Sequence, residues 1–169
     1  MLRRNLLIMS GVAAAALVTG CNSSKTSKDI FEVVRDNSDL SVLGDALISA
    51  GLDTTLQTAG SYTLFAPNNA AFVALLAELA LTKDQLFANK PLLTSVLTYH
   101  LLPGEVAGSD LPLNTPLATV QGSTLSISNV AGILTITDGR SRTSRIIQVN
   151  LEAKNGVIHV LDKVLLPPV

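Results

Sequence analysis

The hydrophobic period of this chain changes at Pro103-Gly104, and that change restricts the folds open to it. Upstream, apolar residues recur at three and four: Leu40, Leu43, Leu47; Phe72, Leu75, Leu76, Leu79; Leu92, Val96, Tyr99 with Leu93 and Leu97. That spacing lines one side of a helix. Downstream, the period falls to two: Leu125 and Ile127, Leu134 and Ile136, then Ile147, Val149 and Leu151, each set sharing one face of a strand. Helices followed by a run of antiparallel strands define an α+β domain.

Local signals place the breaks. Ser27 or Asp29 caps a first helix, Ser38 or Asp39 a second that stops at Gly51, and Asn68 or Asn69 a later one. Thr82-Lys83-Asp84-Gln85 has capping-box spacing, and Pro91 suits the start of the helix that Pro103-Gly104 ends. Within this half, Tyr62–Phe65 reads as a strand stopped by Pro67. The second half gives strands at 117–121, 124–128, 133–137, 145–151, 157–161 and 164–166. Turns fall at Asn129–Gly132, Asp138–Ser141 and Asn155-Gly156, the last a strong hairpin signal.

The N-terminus reads as an address. Arg3 and Arg4 precede a largely apolar run of thirteen residues, Leu6 to Val18, too short for the roughly 20 residues that span a bilayer and arranged like an export signal. Val18-Thr19-Gly20-Cys21 resembles the bacterial lipobox, which implies cleavage before Cys21 and acylation of its thiol. Each buried methylene adds ~0.8 kcal/mol to retention, so several chains anchor firmly. The expected organisation is a signal peptide at 1–20, a lipidated Cys21 and polar tether at 21–28, and one folded domain at 29–167. Asn22 after the cysteine resembles the Gram-negative sorting pattern for the outer membrane.

Composition then excludes whole classes. Hydrophobic residues are 47% and charged ones 15%, which is not a disordered chain. A net charge of -1 gives no general attraction to nucleic acid. Trp is absent and aromatics are 4%, so base-stacking platforms are not expected. The single Cys forbids an internal disulfide.

Three segments, in order, resemble the fasciclin (FAS1) domain family. They are Tyr62-Thr63-Leu64-Phe65-Ala66-Pro67-Asn68-Asn69-Ala70-Ala71-Phe72, then Tyr99-His100 before Leu101-Leu102-Pro103-Gly104, and Asn155-Gly156-Val157-Ile158-His159-Val160-Leu161-Asp162-Lys163-Val164-Leu165-Leu166-Pro167. The resemblance implies a wedge-shaped antiparallel β-sandwich with helices packed in the N-terminal half. It also implies a secreted or surface-attached module for adhesion or for binding protein or glycan partners. Animal members link an Asp-Ile pair before the closing segment, together with the Tyr-His region, to integrin binding. Asn150-Leu151 stands there in this chain, so integrin-type recognition is not implied.

Candidate chemistry is sparse. With two His, and a lone Cys assigned to lipid, the paired spacings of a structural zinc site are missing. No nucleophile elbow, phosphate loop or dinucleotide fingerprint occurs. No catalytic residue, metal ligand or cofactor is assigned, and both imidazoles are expected to be buried on backbone or hydroxyl partners. Candidate partner-binding residues are Tyr99 and His100 from the family motif, and Arg140, Arg142 and Arg145, a basic edge suited to an anionic glycan or head group. Leu111–Leu117 is an apolar loop open to either a contact or a tucked-in role. The expected function is a membrane-anchored extracytoplasmic binding module, not an enzyme. The alternative is a carrier of an apolar small molecule such as a carotenoid or lipid.

Overall fold

The computed structural model describes residues 26–58 and 60–169. The export segment and Cys21 lie outside them. Six α-helices and seven strands are found among the described residues: α1 Ile30–Asp36, α2 Ser41–Ala50, α3 Asp53–Gln57, β1 Tyr62–Pro67, α4 Asn69–Leu79, α5 Lys83–Ala88, α6 Lys90–Tyr99, β2 Leu101–Pro103, β3 Pro116–Ala118, β4 Thr124–Val130, β5 Ile133–Thr137, β6 Thr143–Ala153 and β7 Gly156–Leu161. The α+β class expected from the period change is the class observed.

Capping chemistry starts the helices where short polar side chains precede apolar periods. Asp29 closes a capping box with Glu32 on α1, and Thr82 does so with Gln85 on α5. Asn68 accepts from the Ala71 amide and caps α4. Asn69 instead bridges to the α2 region, accepting from Val42 N at 3.0 Å and donating to Ser38 O at 2.8 Å. Neither Ser38 nor Asp39 caps the second helical stretch: Asn37 does, through a 3-10 turn at Ser38–Leu40. Gly51, at φ 71°, ends α2 in the left-handed conformation.

The sheet runs β2-β1-β7-β6-β5-β4-β3. It is mixed rather than wholly antiparallel, because β1 and β7 pair in parallel from Tyr62↔Gly156 to Pro67↔Leu161. Two strands so far apart in sequence can run side by side only after a long crossover, and α4 to β6 supply it. Both faces of this central pair are covered, and β7 is buried along its whole length. On one face Leu64, Ala66, Ile158 and Val160 meet the helices. On the other, Phe65 and Leu161 meet Leu125, Ile127, Ile136 and Ile146 from β4–β6. β6 makes the corner of this sandwich: its first residues pair with β5, and the strand then continues along β7 through two register shifts.

The bulges change which face the β6 pattern serves. Ile146 is buried, whereas Ile147 and Val149 are 54% and 40% exposed, and Leu151, beyond the second register shift, packs against the core, so the three residues expected on one face do not share it. The β6–β7 turn is Lys154-Asn155, with Gly156 already paired. Gly156 is required by proximity: a Cβ there would lie 1.9 Å from Tyr62 O on β1. Residues 164–166 form no strand, although all three are buried. The Leu165 and Leu166 amides find side-chain acceptors instead, as described next.

Candidate functional site

The family-motif pair lies at the C-terminus of α6, deep in the fold. His100 is fully buried. Its Nε2 accepts from the Leu165 amide at 2.9 Å, which places the ring proton on Nδ1, and Nδ1 donates to Val96 O at 2.7 Å. With both nitrogens occupied in a neutral tautomer, burial holds its pKa down at about 4, against a smaller opposing pull from Val96 O and Asp138.

Tyr99 is equally enclosed. Its hydroxyl donates to Thr124 O and accepts from the Gly139 amide, both at 2.8 Å, so it joins α6 to β4 and to the loop after β5. Burial pushes the phenol up, partly offset by the Gly139 bond.

Asp138 completes this polar knot. One carboxylate oxygen accepts from the Arg140 and Arg142 amides and the other from the Leu166 amide, at 2.9, 2.9 and 3.0 Å. Three charge-assisted bonds from backbone donors satisfy a carboxylate that is only 5% exposed. Sequence reading took Asp138 as a turn residue. Its preference for bonding the backbone two residues on was a usable signal for the Arg140 contact, whereas the reach to Leu166 was not.

His159, on β7, forms a second latch. Its Nε2 donates to Val106 O at 3.0 Å, and its Nδ1 accepts from the Asn150 amide at 3.3 Å. Burial depresses its pKa, with Val106 O opposing. Thr63, also buried, donates to Gly104 O and accepts from the Val106 amide, so the loop after β2 is sewn onto this face of the sheet. Asn150 holds a left-handed φ of 59° at the β6 bulge, where its side chain accepts from the Gly108 amide at 2.7 Å. The position at which the family resemblance would place an acidic residue is therefore used here to fasten a loop. Both imidazoles are on the backbone partners expected of them.

The three arginines do not form one cluster. Arg140 Nε donates to Pro167 O at 3.0 Å and so helps to pin the tail. Arg142 pairs with Glu78 on α4 at 2.6 Å, while its other terminal nitrogen is buried without a partner. Arg145 lies on the outward face of β6, exposed, and its guanidinium has no partner among the described residues. The Leu111–Leu117 loop divides: Leu111 tucks into the second core, while Leu113 is 43% exposed.

Arg145 borders an open groove. The outward face of β4 and β5 contributes Ser128 and Thr135, whose hydroxyls lie 2.9 Å apart, with Val130 and Ile133 at the hairpin end. Thr143 and Arg145 of β6 and the following Asp162 and Lys163 form its other wall. Asp162 is turned to structural use, accepting from Ser144 Oγ at 3.1 Å and the Arg145 amide at 2.8 Å. Sequence reading missed Lys163 and the hydroxyl rows. The alternation that marked Leu125/Ile127 and Leu134/Ile136 as inward marked Ser126, Ser128, Thr135 and Thr137 as outward, and that signal went unused. Among the described residues, no group of three or more His, Cys, Asp or Glu is placed to hold a metal ion. No described helix is long and apolar enough to cross a membrane.

Comparison with known proteins agrees with this geometry. The sequence model of the fasciclin domain matches residues 38–167. Protein sll1483 of Synechocystis sp. is 33% identical over 150 residues, covering 86% of this chain and 77% of the relative. Human periostin is 32% identical over 142 residues, 83% of this chain but 16% of that protein. Immunogenic protein MPB70 of Mycobacterium bovis is 35% identical over 111 residues, 64% of this chain and 51% of the relative. Among solved structures, a FAS1 domain pair from the insect cell adhesion molecule fasciclin I superposes with a TM-score of 0.69 at 18% identity, covering 82% of this chain and 51% of that one.

Proposed function

This chain belongs to the fasciclin domain family, and from that premise we propose that it is a lipid-anchored binding module of the cell envelope. Cys21 carries the lipid, and the domain's exterior engages a protein or glycan partner outside the cytoplasm. If the cell is Gram-negative, Asn22 directs it to the outer membrane.

One observation carries this reading. The fold commits its most reactive groups, the two imidazoles, the Tyr99 phenol and the Asp138 carboxylate, to backbone hydrogen bonds in the interior. What the domain can offer a partner is its surface. Insect fasciclin I, whose domain pair shares this fold, is a cell adhesion molecule, which supports the same reading for this chain. Of the five candidate contacts, Tyr99 and His100 act from inside as positioning groups, Arg140 and Arg142 brace the tail and α4, and Arg145 presents a free cation. The grooves beside Lys154 and beside Arg145 are open, the first lined by polar side chains and the second by a mixture of hydroxyls, charges and a few aliphatic groups, which does not favour the apolar-carrier alternative.

Two measurements test the proposal. Labelled palmitate should enter the wild-type chain and not Cys21→Ala, which should leave the membrane fraction. The full chain, tagged at its exposed C-terminus, should retain specific material from an envelope extract in a saturable manner. Membrane fractionation unchanged by Cys21→Ala would remove the anchor, and an extract that yields nothing saturable would remove the binding role.

A further inference from the structure

We infer that the groove between the outward face of β4–β5 and the Asp162-Lys163 segment binds an acidic polysaccharide, a polyhydroxylated chain bearing carboxylate or sulfate groups. The inference deepens the binding role proposed above and rests on it.

The groove combines two kinds of recognition chemistry. Arg145 and Lys163 are both exposed and have no side-chain partner among the described residues, unlike Lys83 and Arg142, which are paired with Asp45 and Glu78. A guanidinium fork and an ammonium lining one groove suit an anion that presents several oxygens. Asp162 is the one carboxylate in the groove, held through one oxygen by the Ser144 hydroxyl and the Arg145 amide, and two cations against it leave a local positive excess although the chain as a whole carries -1.

The rest of the surface is hydroxyl. Ser128, Thr135 and Thr143 stand on one face of three adjacent strands, with neighbouring strands ~4.8 Å apart. The Ser128–Thr135 bond uses one donor, and each hydroxyl keeps acceptor capacity for the hydroxyls of a sugar. Val130 and Ile133, 59% and 44% exposed, form a small aliphatic shelf at the edge. Flat, open and polar, this face fits a chain that lies along it better than a buried protein hot spot, which needs a desolvated pocket.

Its position suits the anchored protein. The described chain begins beside the β6–β7 turn, where the Lys154 amide donates to Lys28 O. Thr143 and Arg145 begin β6, whereas Lys154 follows its end, so the strand carries the groove away from the tether, ~30 Å for nine extended residues and less with the bulges.

The test uses the full chain in non-ionic detergent and affinity electrophoresis through gels holding polygalacturonate, dextran sulfate or neutral dextran. Wild type should be retarded by both acidic polymers and not by neutral dextran, with the retardation falling as salt rises. Arg145→Gln with Lys163→Gln should weaken the apparent Kd about tenfold. Ile133→Asp, which keeps both cations and adds a negative charge that repels the acidic polymer, should weaken it as well. Lys154→Gln, at the other end of β6, should leave it unchanged, and Arg145→Lys should keep most of it. No retardation of wild type overturns the inference, as does equal weakening by Lys154→Gln. If envelope material still binds saturably while acidic polymers do not, the site assignment fails and the binding role stands. If that capture depends on Arg145 and Lys163 but the captured material is protein, the glycan class is wrong.

Discussion

Protonating His100 should destabilise this domain, and the size of the effect follows from its surroundings. The imidazole accepts from the Leu165 amide, so an added proton on Nε2 turns an acceptor into a second donor facing an N–H. Its pKa is about 4 in the folded chain against 6.5 for the free side chain. Between those values the unfolded chain holds more protons than the folded one, so stability rises with pH. The contribution is complete above 6.5 and is lost as pH falls toward about 4. At about pH 5 the proton-binding ratio of unfolded to folded chain is roughly 30, a loss of about 2 kcal/mol relative to neutral pH. His159, depressed for the same reason, adds to it in the same direction. Urea denaturation should register this as a midpoint lower by roughly 1 M at pH 5 than at pH 7. His100→Gln, which cannot take the proton, should be less stable at neutral pH yet lose much of the slope between them. A slope unchanged in His100→Gln, or no slope in wild type, would refute the argument that this buried neutral ring couples the tail to α6.

Two further outcomes follow from the packing. Tyr99→Phe removes a hydroxyl that both donates to Thr124 O and accepts from Gly139 N; it should cost ~1–3 kcal/mol in urea unfolding with the far-UV spectrum unchanged. Gly156→Ala pushes a methyl group into Tyr62 O across the parallel β1–β7 pair; it should cost ~4 kcal/mol or more and abolish the cooperative transition if the central pair cannot form.

Local chemistry was legible because its partners are local. The capping boxes at Asp29–Glu32 and Thr82–Gln85, the Gly51 stop and the span of β5 all depend on residues within a few positions of one another. The order of helices and strands follows from the change of period, and with it the α+β class. The three motif segments identified the family for a related reason: each is a short strand-to-helix step, helix end or hairpin that sequence spells out.

What sequence alone settled, then, is the set of elements, their caps and the residues able to face a core. Tertiary structure decided which long-range partner each backbone group finds. β1 and β7 lie side by side although 88 residues separate the end of one from the start of the other, counting from Pro67 to Gly156. His100 and Leu165 meet across 65 positions, and the end of the apolar run at 164–166 stays out of the sheet because His100 and Asp138 take the Leu165 and Leu166 amides. Ile146 faces inward and Ile147 outward, and the register shifts that follow in β6 bring Leu151 and Ala153 onto the helix-side core, choices invisible to an alternating pattern that reads the same on either face. The groove beside Arg145 arises in the same way: its hydroxyls and cations lie on separate elements, and only the corner in β6 brings them onto one surface.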